Sequence, residues 1–270
     1  MTKRMMNLVV KAINAAGIKA ELTVVPKNNE TLTGVTIGGG KVRPTMYFTE
    51  EYDGMTSKAI AELMIKRFEN LPKTPEINAD EIMTREYIKE HVHMMLVPYS
   101  DYVKGKASRS FLDLFKLFCI DTPVENGFVT LTIDHITKLG IEVAELEAWA
   151  HDTYEVKGMF ETMMELDPET AQMLGEPEHE EQLVLSNETQ FFGATAITNN
   201  AVLDLACKRL GADTIYILPS SIHECLAVAM GKPDELKQMV CEVNDTNVLP
   251  QERLSYNVYR YTIGGELEIA

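Results

Sequence analysis

The densest group of side chains that could do chemistry is the string Pro219-Ser220-Ser221-Ile222-His223-Glu224. It follows an apolar run, and the end of a buried strand is where α/β folds expose functional groups. A serine hydroxyl becomes a nucleophile when a histidine accepts its proton and an acid orients that histidine. Ser220 or Ser221, with His223 and Glu224, could therefore form a hydrolytic site, with Tyr216 beside it.

The same residue types also make a tight turn whose hydroxyl groups satisfy the backbone. In an extended segment Ser221 and His223 point the same way and Glu224 points opposite, so another acid would have to orient the histidine. The sequence also lacks a GxSxG elbow to expose the hydroxyl. The pattern favours a structural turn, and the hydrolytic site remains the alternative.

Metal and phosphate motifs are incomplete. His223, Cys225 and Cys241 form the only histidine–cysteine set within one region, and they lack zinc-motif spacing. His91 and His93 would share a face only in an extended segment. We predict no metal and no cofactor.

The triple glycine Gly38-Gly39-Gly40 before Lys41 also departs from the phosphate-binding P-loop. Val35 stands at the first glycine site of that motif and Val42 at its last position. The pattern favours a hairpin loop.

The charge balance limits the partners. Lysine and arginine total 25 against 41 aspartates and glutamates, a formal net charge of -16, which repels nucleic acid and anionic membranes. No apolar run reaches the ~18 residues of a membrane span. The cysteines lack CxxC spacing, and three lie in apolar runs, which is typical of a reducing compartment. We expect a cytoplasmic protein that binds neither nucleic acid nor membranes and that could dock another protein.

Periodicity predicts an α+β fold with a mixed or antiparallel sheet flanked by helices. An amphipathic N-terminal helix precedes a three-stranded meander, and a further helix follows at 55–70. The run Thr214 to Leu218 predicts a central buried strand, and Tyr256 to Ile269 a closing hairpin. A helix near residue 145 is predicted to carry a set of apolar residues on one side: Val143, Leu146, Trp149, Ala150 and Tyr154.

Residues 165–182 form the most polar stretch. We therefore expect an N-terminal lobe at 1–166, an acidic connector at 167–182 and a C-terminal lobe at 183–270.

Two segments resemble a bacterial family known only as a domain of unknown function and found mainly in gut anaerobes. They are LTGVTI with VRPTMYFTEEYDG, and FGATAITNNAVLDLACKRLGADTIYILPSSIHE with EVNDTNVLPQERLSYNVYRY. Cys225 stands where an aliphatic residue is expected. The order of later elements is more distantly similar to YtpQ-like conserved proteins. The resemblance implies a shared fold and no reaction.

Two functions follow as hypotheses. The preferred one is a non-enzymatic protein-interaction or regulatory module that uses an acidic or apolar surface. The alternative is a small-molecule hydrolase, or another enzyme, at Ser220, Ser221, His223 and Glu224. The oligomeric state stays open.

Overall fold

The computed structural model describes residues 1–39, 43–71, 78–124, 127–150 and 152–270. Its α-helices are α1 (Lys3–Ala15), α2 (Ser57–Glu69), α3 (Ala79–Ile82), α4 (Arg85–His91), α5 (Ile133–Lys138), α6 (Val143–Trp149), α7 (Met159–Leu166), α8 (Pro168–Leu174), α9 (Asn200–Leu210) and α10 (Pro233–Thr246). Short 3-10 helices lie at Glu50–Tyr52, Gly193–Thr198 and Pro250–Glu252.

The strands are β1 (Ala20–Lys27), β2 (Glu30–Ile37), β3 (Thr45–Tyr47), β4 (Val92–Pro98), β5 (Ser108–Phe111), β6 (Leu114–Asp121), β7 (Phe128–Thr130), β8 (Tyr154–Gly158), β9 (Gln182–Asn187), β10 (Thr214–Leu218), β11 (Cys225–Val228), β12 (Tyr259–Thr262) and β13 (Glu268–Ile269). They form three sheets whose named pairings are all antiparallel. The α+β prediction is confirmed.

The N-terminal helix and meander are also as predicted. The Thr2 hydroxyl caps α1 by accepting the Met5 N–H at 3.3 Å, and β1, β2 and β3 pair in chain order. The apolar faces of α1 and α2 cover the meander and bury a common core that includes Val9, Ile13, Ile60 and Met64. This packing is what an amphipathic helix requires, since its apolar stripe must be buried against another element.

A guanidinium–carboxylate pair ties the segment after β3 to α2. Arg67 donates to both oxygens of Glu51, at 2.6 and 2.9 Å. The hydrogen bond from Arg67, followed by one with Tyr52, lowers the pKa of Glu51 to about 2. The carboxylate therefore stays charged well into the acid range.

The second sheet is built around β6. β4 pairs along one side of it, and β5 and β7 share the other side. Helices α3 to α6 cover one face of this sheet over a core that includes Ile88, Phe118, Ile120 and Leu146. The sequence placed Tyr154 on the α6 face, which is wrong: α6 ends at Trp149, and Tyr154 pairs with Asn187 between β8 and β9.

The six-stranded sheet has the order β13-β12-β10-β11-β9-β8. β10 lies in its interior, as its continuous apolar run predicts. The hairpin of β12 and β13 is likewise confirmed. One face packs on α10 through Leu236 and Val240. The other face packs on α9, on the 3-10 helix Gly193–Thr198 and on the β6 sheet, in the largest core cluster of the described residues.

Asp113 is the polar link between these two sheets. It lies in the turn between β5 and β6, and its carboxylate accepts from the Ser255 and Tyr259 hydroxyls at 2.7 Å each and from the Asn257 amide at 3.0 Å. Tyr259 is fully buried. Because the buried Tyr259 hydroxyl needs a hydrogen-bond partner, Asp113 fixes how the β5–β6 hairpin packs against the segment that contains β12.

The predicted division into lobes stays a prediction, and two observations bear on it. β8 lies before residues 167–182 and pairs with β9, which lies largely after them. Arg209 of α9 donates to Glu180 at 3.0 Å and to Glu161 of α7 at 3.1 Å. An ion pair with Arg209 therefore ties the acidic stretch, at Glu180, to α9.

Some predicted features lie outside the described residues. They are Gly40, Lys41 and Val42 of the glycine loop, Pro72 and Pro75 after α2, and Asn126 of the turn before β7. The four cysteines are free thiols, and Cys119, Cys207 and Cys225 are buried, as their apolar surroundings predict. Burial raises the pKa of the Cys119 thiol to about 12. In the described part of the chain no helix combines the length and apolarity needed to cross a bilayer.

Candidate functional site: a cleft lined by aromatic rings

The segment 219–224 connects β10 to β11 and pairs with residues 252–255. The Pro219 and Ser220 carbonyls accept from Ser255 and Leu254 at 3.0 and 3.2 Å, and the Ile222 N–H donates to the Glu252 carbonyl at 2.8 Å. The backbone of this segment is therefore fixed on one side by residues 252–255, which precede β12.

The predicted catalytic side chains make contacts of several kinds in the structure. The Ser221 hydroxyl accepts the His223 N–H at 3.1 Å, a local turn contact. Among the described residues, neither serine hydroxyl bonds the His223 imidazole, and Glu224 is exposed. Tyr216 packs on the face of the sheet that carries α10. The structure thus brings Ser221 and His223 together through the backbone, and their role in catalysis stays a prediction.

The His223 ring contacts the loop between β9 and the 3-10 helix Gly193–Thr198. Its Nδ1 accepts the Phe192 backbone N–H at 3.3 Å, so the proton of the neutral ring lies on Nε2. The ring stacks on Phe192 with centroids 5.9 Å apart and planes 7° from parallel. His223 therefore supports the loop that carries Phe191 and Phe192.

That loop has a strained backbone. Gln190 and Phe192 have positive φ angles of 54° and 58°. This left-handed region disfavours residues with a Cβ, and such residues persist only where the surroundings fix them. The Asn187 side chain supplies much of the restraint: its amide donates to the Phe191 carbonyl at 2.9 Å, and its carbonyl oxygen accepts from the Phe191 N–H at 3.2 Å.

Gly193 lets the loop pack tightly against the 219–224 segment. A Cβ at this position would lie 2.6 Å from the His223 carbonyl oxygen and 2.7 Å from the Asn187 nitrogen. The Ser186 hydroxyl also donates to the His223 carbonyl, at 2.9 Å. Any side chain at residue 193 would push these backbones apart.

The strained loop forms one wall of a cleft of about 690 Å³. The opposite wall comes from β4, the end of β6, the turn after it and the start of β7. The residues lining it are His93, Asp121, Thr122, Pro123, Val124, Gly127, Phe128, Asp152, Asn187, Thr189, Gln190 and Phe191. Its volume lies within the range of about 300–1,000 Å³ that is typical of small-molecule sites.

Stacked and edge-on rings form the apolar part of the cleft. Phe128 meets Phe191 at 5.8 Å and Phe192 at 5.2 Å between centroids, both edge to face. His93 stacks on Phe192 at 6.3 Å. Phe192 is buried and supports the others, whereas Phe191 is 42% exposed. The rings of His93, Phe128 and Phe191 therefore line the cleft, and the buried Phe192 ring packs behind them.

Carboxylates form the charged part of the cleft. The His93 Nδ1 lies 3.6 Å from an oxygen of Asp121, whose side chain is 69% exposed. Asp152 also lines the cleft. The described lining residues include no lysine or arginine. The cleft thus combines aromatic surface with negative charge.

The sequence indicates His93 only as a partner of His91, and the structure separates the two. His91 ends α4 and stacks on Tyr87 with ring centroids 3.9 Å apart, whereas His93 lies in β4 and reaches the cleft. In the described residues no group of three or more histidine, cysteine, aspartate or glutamate side chains is placed to hold a metal ion. The cleft residues come from distant segments, and the one local signal for them is the pair Phe191-Phe192 after a strand.

Comparison with known families gives one match. Residues 2–262 match the model of a family of unknown function, DUF5688. This agrees with the resemblance carried by the segments quoted above, among them the one that ends in LPSSIHE. The likeness to YtpQ-like proteins stays a prediction. No curated protein and no solved structure matches the chain.

Proposed function

Because the chain belongs to this family of unknown function, we propose a role from its own geometry: a binding module that holds a small organic molecule in the cleft beside Phe191. The observation that carries the proposal is the exposed Phe191 ring, held over the cleft between two residues with left-handed backbones. The proposal keeps the non-enzymatic binding role of the first sequence hypothesis and replaces its protein partner with a small ligand.

The conformation of the loop costs free energy. Each left-handed residue with a Cβ costs on the order of 1–3 kcal/mol, and leaving an aromatic ring in water forgoes its burial. Asn187 and His223 hold the loop in this state through hydrogen bonds to the backbones of Phe191 and Phe192. Strain of this kind clusters at ligand sites, where a preformed contact surface lowers the ordering cost of binding.

The lining fits a small ligand better than a protein surface. A concave site with aromatic rings and a few polar groups is the usual composition of small-molecule sites. The cleft has Phe128 and Phe191 as its rings, with Asp121 and Asp152 as polar groups. A specific protein interface takes roughly 20–30 residues from each partner, whereas the described residues that line the cleft number twelve.

The hydrolase hypothesis at Ser220, Ser221, His223 and Glu224 stays a separate prediction. It requires a serine hydroxyl to reach the His223 ring. The ring Nδ1 already accepts a hydrogen bond from the Phe192 N–H, and the Ser221 hydroxyl already accepts one from the His223 N–H. The hypothesis would be supported if the native chain hydrolyses an ester and the Ser220→Ala or Ser221→Ala variant does not.

Saturation-transfer NMR with a set of small aromatic fragments tests the binding proposal. We expect fragments that bind the native chain to lose their signal with Phe191→Ala, because this change removes the exposed ring. Tyr99→Ala is the matched control, since Tyr99 is also an exposed ring, 66% accessible, and lies outside the cleft. Equal binding by the native chain and Phe191→Ala would refute the proposal.

A further inference from the structure

We propose that the cleft selects an organic cation, such as an alkylated ammonium group attached to an apolar or aromatic body. This inference rests on the proposed function and specifies its ligand. It rests on three independent features of the cleft: its charge, its aromatic surfaces, and side-chain hydrogen-bond donors that already have acceptors within the protein.

The charge of the cleft favours a positive ligand. Asp121 and Asp152 line it, and the described lining residues supply no lysine or arginine. His93 is the one lining group among them that could carry positive charge, and its Nδ1 faces Asp121. The Asp121 side chain is 69% exposed, so its carboxylate presents negative charge to the cleft, which attracts cations and repels anions.

The ring surfaces favour a cation that is weakly hydrated. The faces of aromatic rings carry negative electrostatic potential and attract a cation within about 6 Å of the ring centroid. Phe128 and Phe191 both line the cleft and Phe191 is 42% exposed, so aromatic surface is open to a ligand there. Phenylalanine cannot replace lost water ligands by hydrogen bonds, which disfavours a small, strongly hydrated ion and favours an alkylated ammonium.

Polar side chains of the cleft that could bind an anion already donate hydrogen bonds to other groups of the protein. The Asn187 amide donates to the Phe191 carbonyl, and the Thr189 hydroxyl donates to the Asn187 side chain at 3.1 Å. The Gln190 amide points to Glu165 at 3.4 Å. An anionic ligand would have to break these contacts, whereas a cation can approach the exposed Asp121 carboxylate directly.

Titration calorimetry with three probes of similar size tests the inference: benzyltrimethylammonium, neutral N,N-dimethylbenzamide and anionic phenylacetate. We expect the ammonium to bind the native chain at least about 10-fold more tightly than the neutral probe, and phenylacetate to bind most weakly. Asp121→Asn should weaken the ammonium about 5- to 10-fold and leave the neutral probe unchanged. Asn keeps the size of the side chain and removes only its charge.

Asp101→Asn is the matched control, because the Asp101 side chain is 71% exposed, much as Asp121 is, and lies outside the cleft. It should leave all three affinities unchanged. If the neutral probe or phenylacetate binds as tightly as the ammonium, and Phe191→Ala abolishes that binding, the cleft is a site but the preference for cations is wrong. If no probe binds the native chain, or if Phe191→Ala binds all three equally well, the inference and the proposed function both fail.

Discussion

His223 offers the sharpest test of how the cleft is held in place. Its Nδ1 accepts the N–H of Phe192, a buried residue with a left-handed backbone, and its ring stacks on the Phe192 ring. His223→Ala removes both contacts. His223→Asn removes the ring but keeps an acceptor, because the Asn side-chain oxygen occupies nearly the position of the histidine Nδ1.

The expected losses follow from these two contacts. A buried N–H left without an acceptor costs about 1–3 kcal/mol, and the 3.3 Å bond places this one toward the lower end. Loss of a stacked ring pair costs about 0.5–1.5 kcal/mol. His223→Ala should therefore lower the free energy of unfolding by about 1.5–2.5 kcal/mol, and His223→Asn by about 1 kcal/mol.

Urea unfolding of the three proteins measures these free energies, and amide hydrogen exchange at Phe192 reports the local contact. Exchange at Phe192 should accelerate with His223→Ala and stay close to native with His223→Asn. If the two variants lose the same stability and exchange at the same rate, the hydrogen bond to Phe192 does not hold the loop and this reasoning fails.

Two further predictions concern the link between the sheets and the response to acid. Asp113→Ala should lower the free energy of unfolding by about 2–4 kcal/mol, because it leaves the buried Tyr259 hydroxyl without its acceptor. Urea unfolding measures this loss. The double variant Asp113→Ala with Tyr259→Phe should lose less stability than the sum of the two single variants. Glu51 has a pKa of about 2 in the folded chain, below the ~4.3 of an unfolded glutamate. Its pairing with Arg67 therefore stabilises the fold above about pH 4.3 and is lost as the pH falls toward 2. Glu51→Gln should accordingly lower the thermal midpoint at pH 6 and make little difference at pH 2, in scans across that range; an equal effect at both pH values would contradict the assignment.

The sequence predicted the elements better than their assembly. The buried strand β10 and the closing hairpin were visible because continuous apolar runs and Gly264-Gly265 are local signals. The placement of Tyr154 failed because a tyrosine near the end of a helical period fits a strand equally well. Only pairing with Asn187, 33 positions later, decides that it belongs to β8.

The cleft could not be predicted because its residues share no spacing. His93, Asp121 and Phe191 come from β4, the end of β6 and the loop after β9. Their proximity depends on how the two sheets pack, which is set by side chains far along the chain such as Asp113 and Tyr259. The positive φ angle of Phe192 is equally invisible in the sequence, because phenylalanine does not favour that conformation.

The chemically dense segment 219–224 and the cleft nevertheless belong to one arrangement. Ser221 fixes the turn at His223, His223 fixes the backbone of Phe192, and Phe192 supports the exposed Phe191 ring. Segment 219–224 thus supports one wall of the proposed ligand site without lining it. On this basis, changes at 220–223 should alter ligand binding by moving Phe191, so a loss of function there would not by itself identify a catalytic residue. The distinction is measurable, because a supporting residue changes stability and affinity together whereas a catalytic residue need change neither.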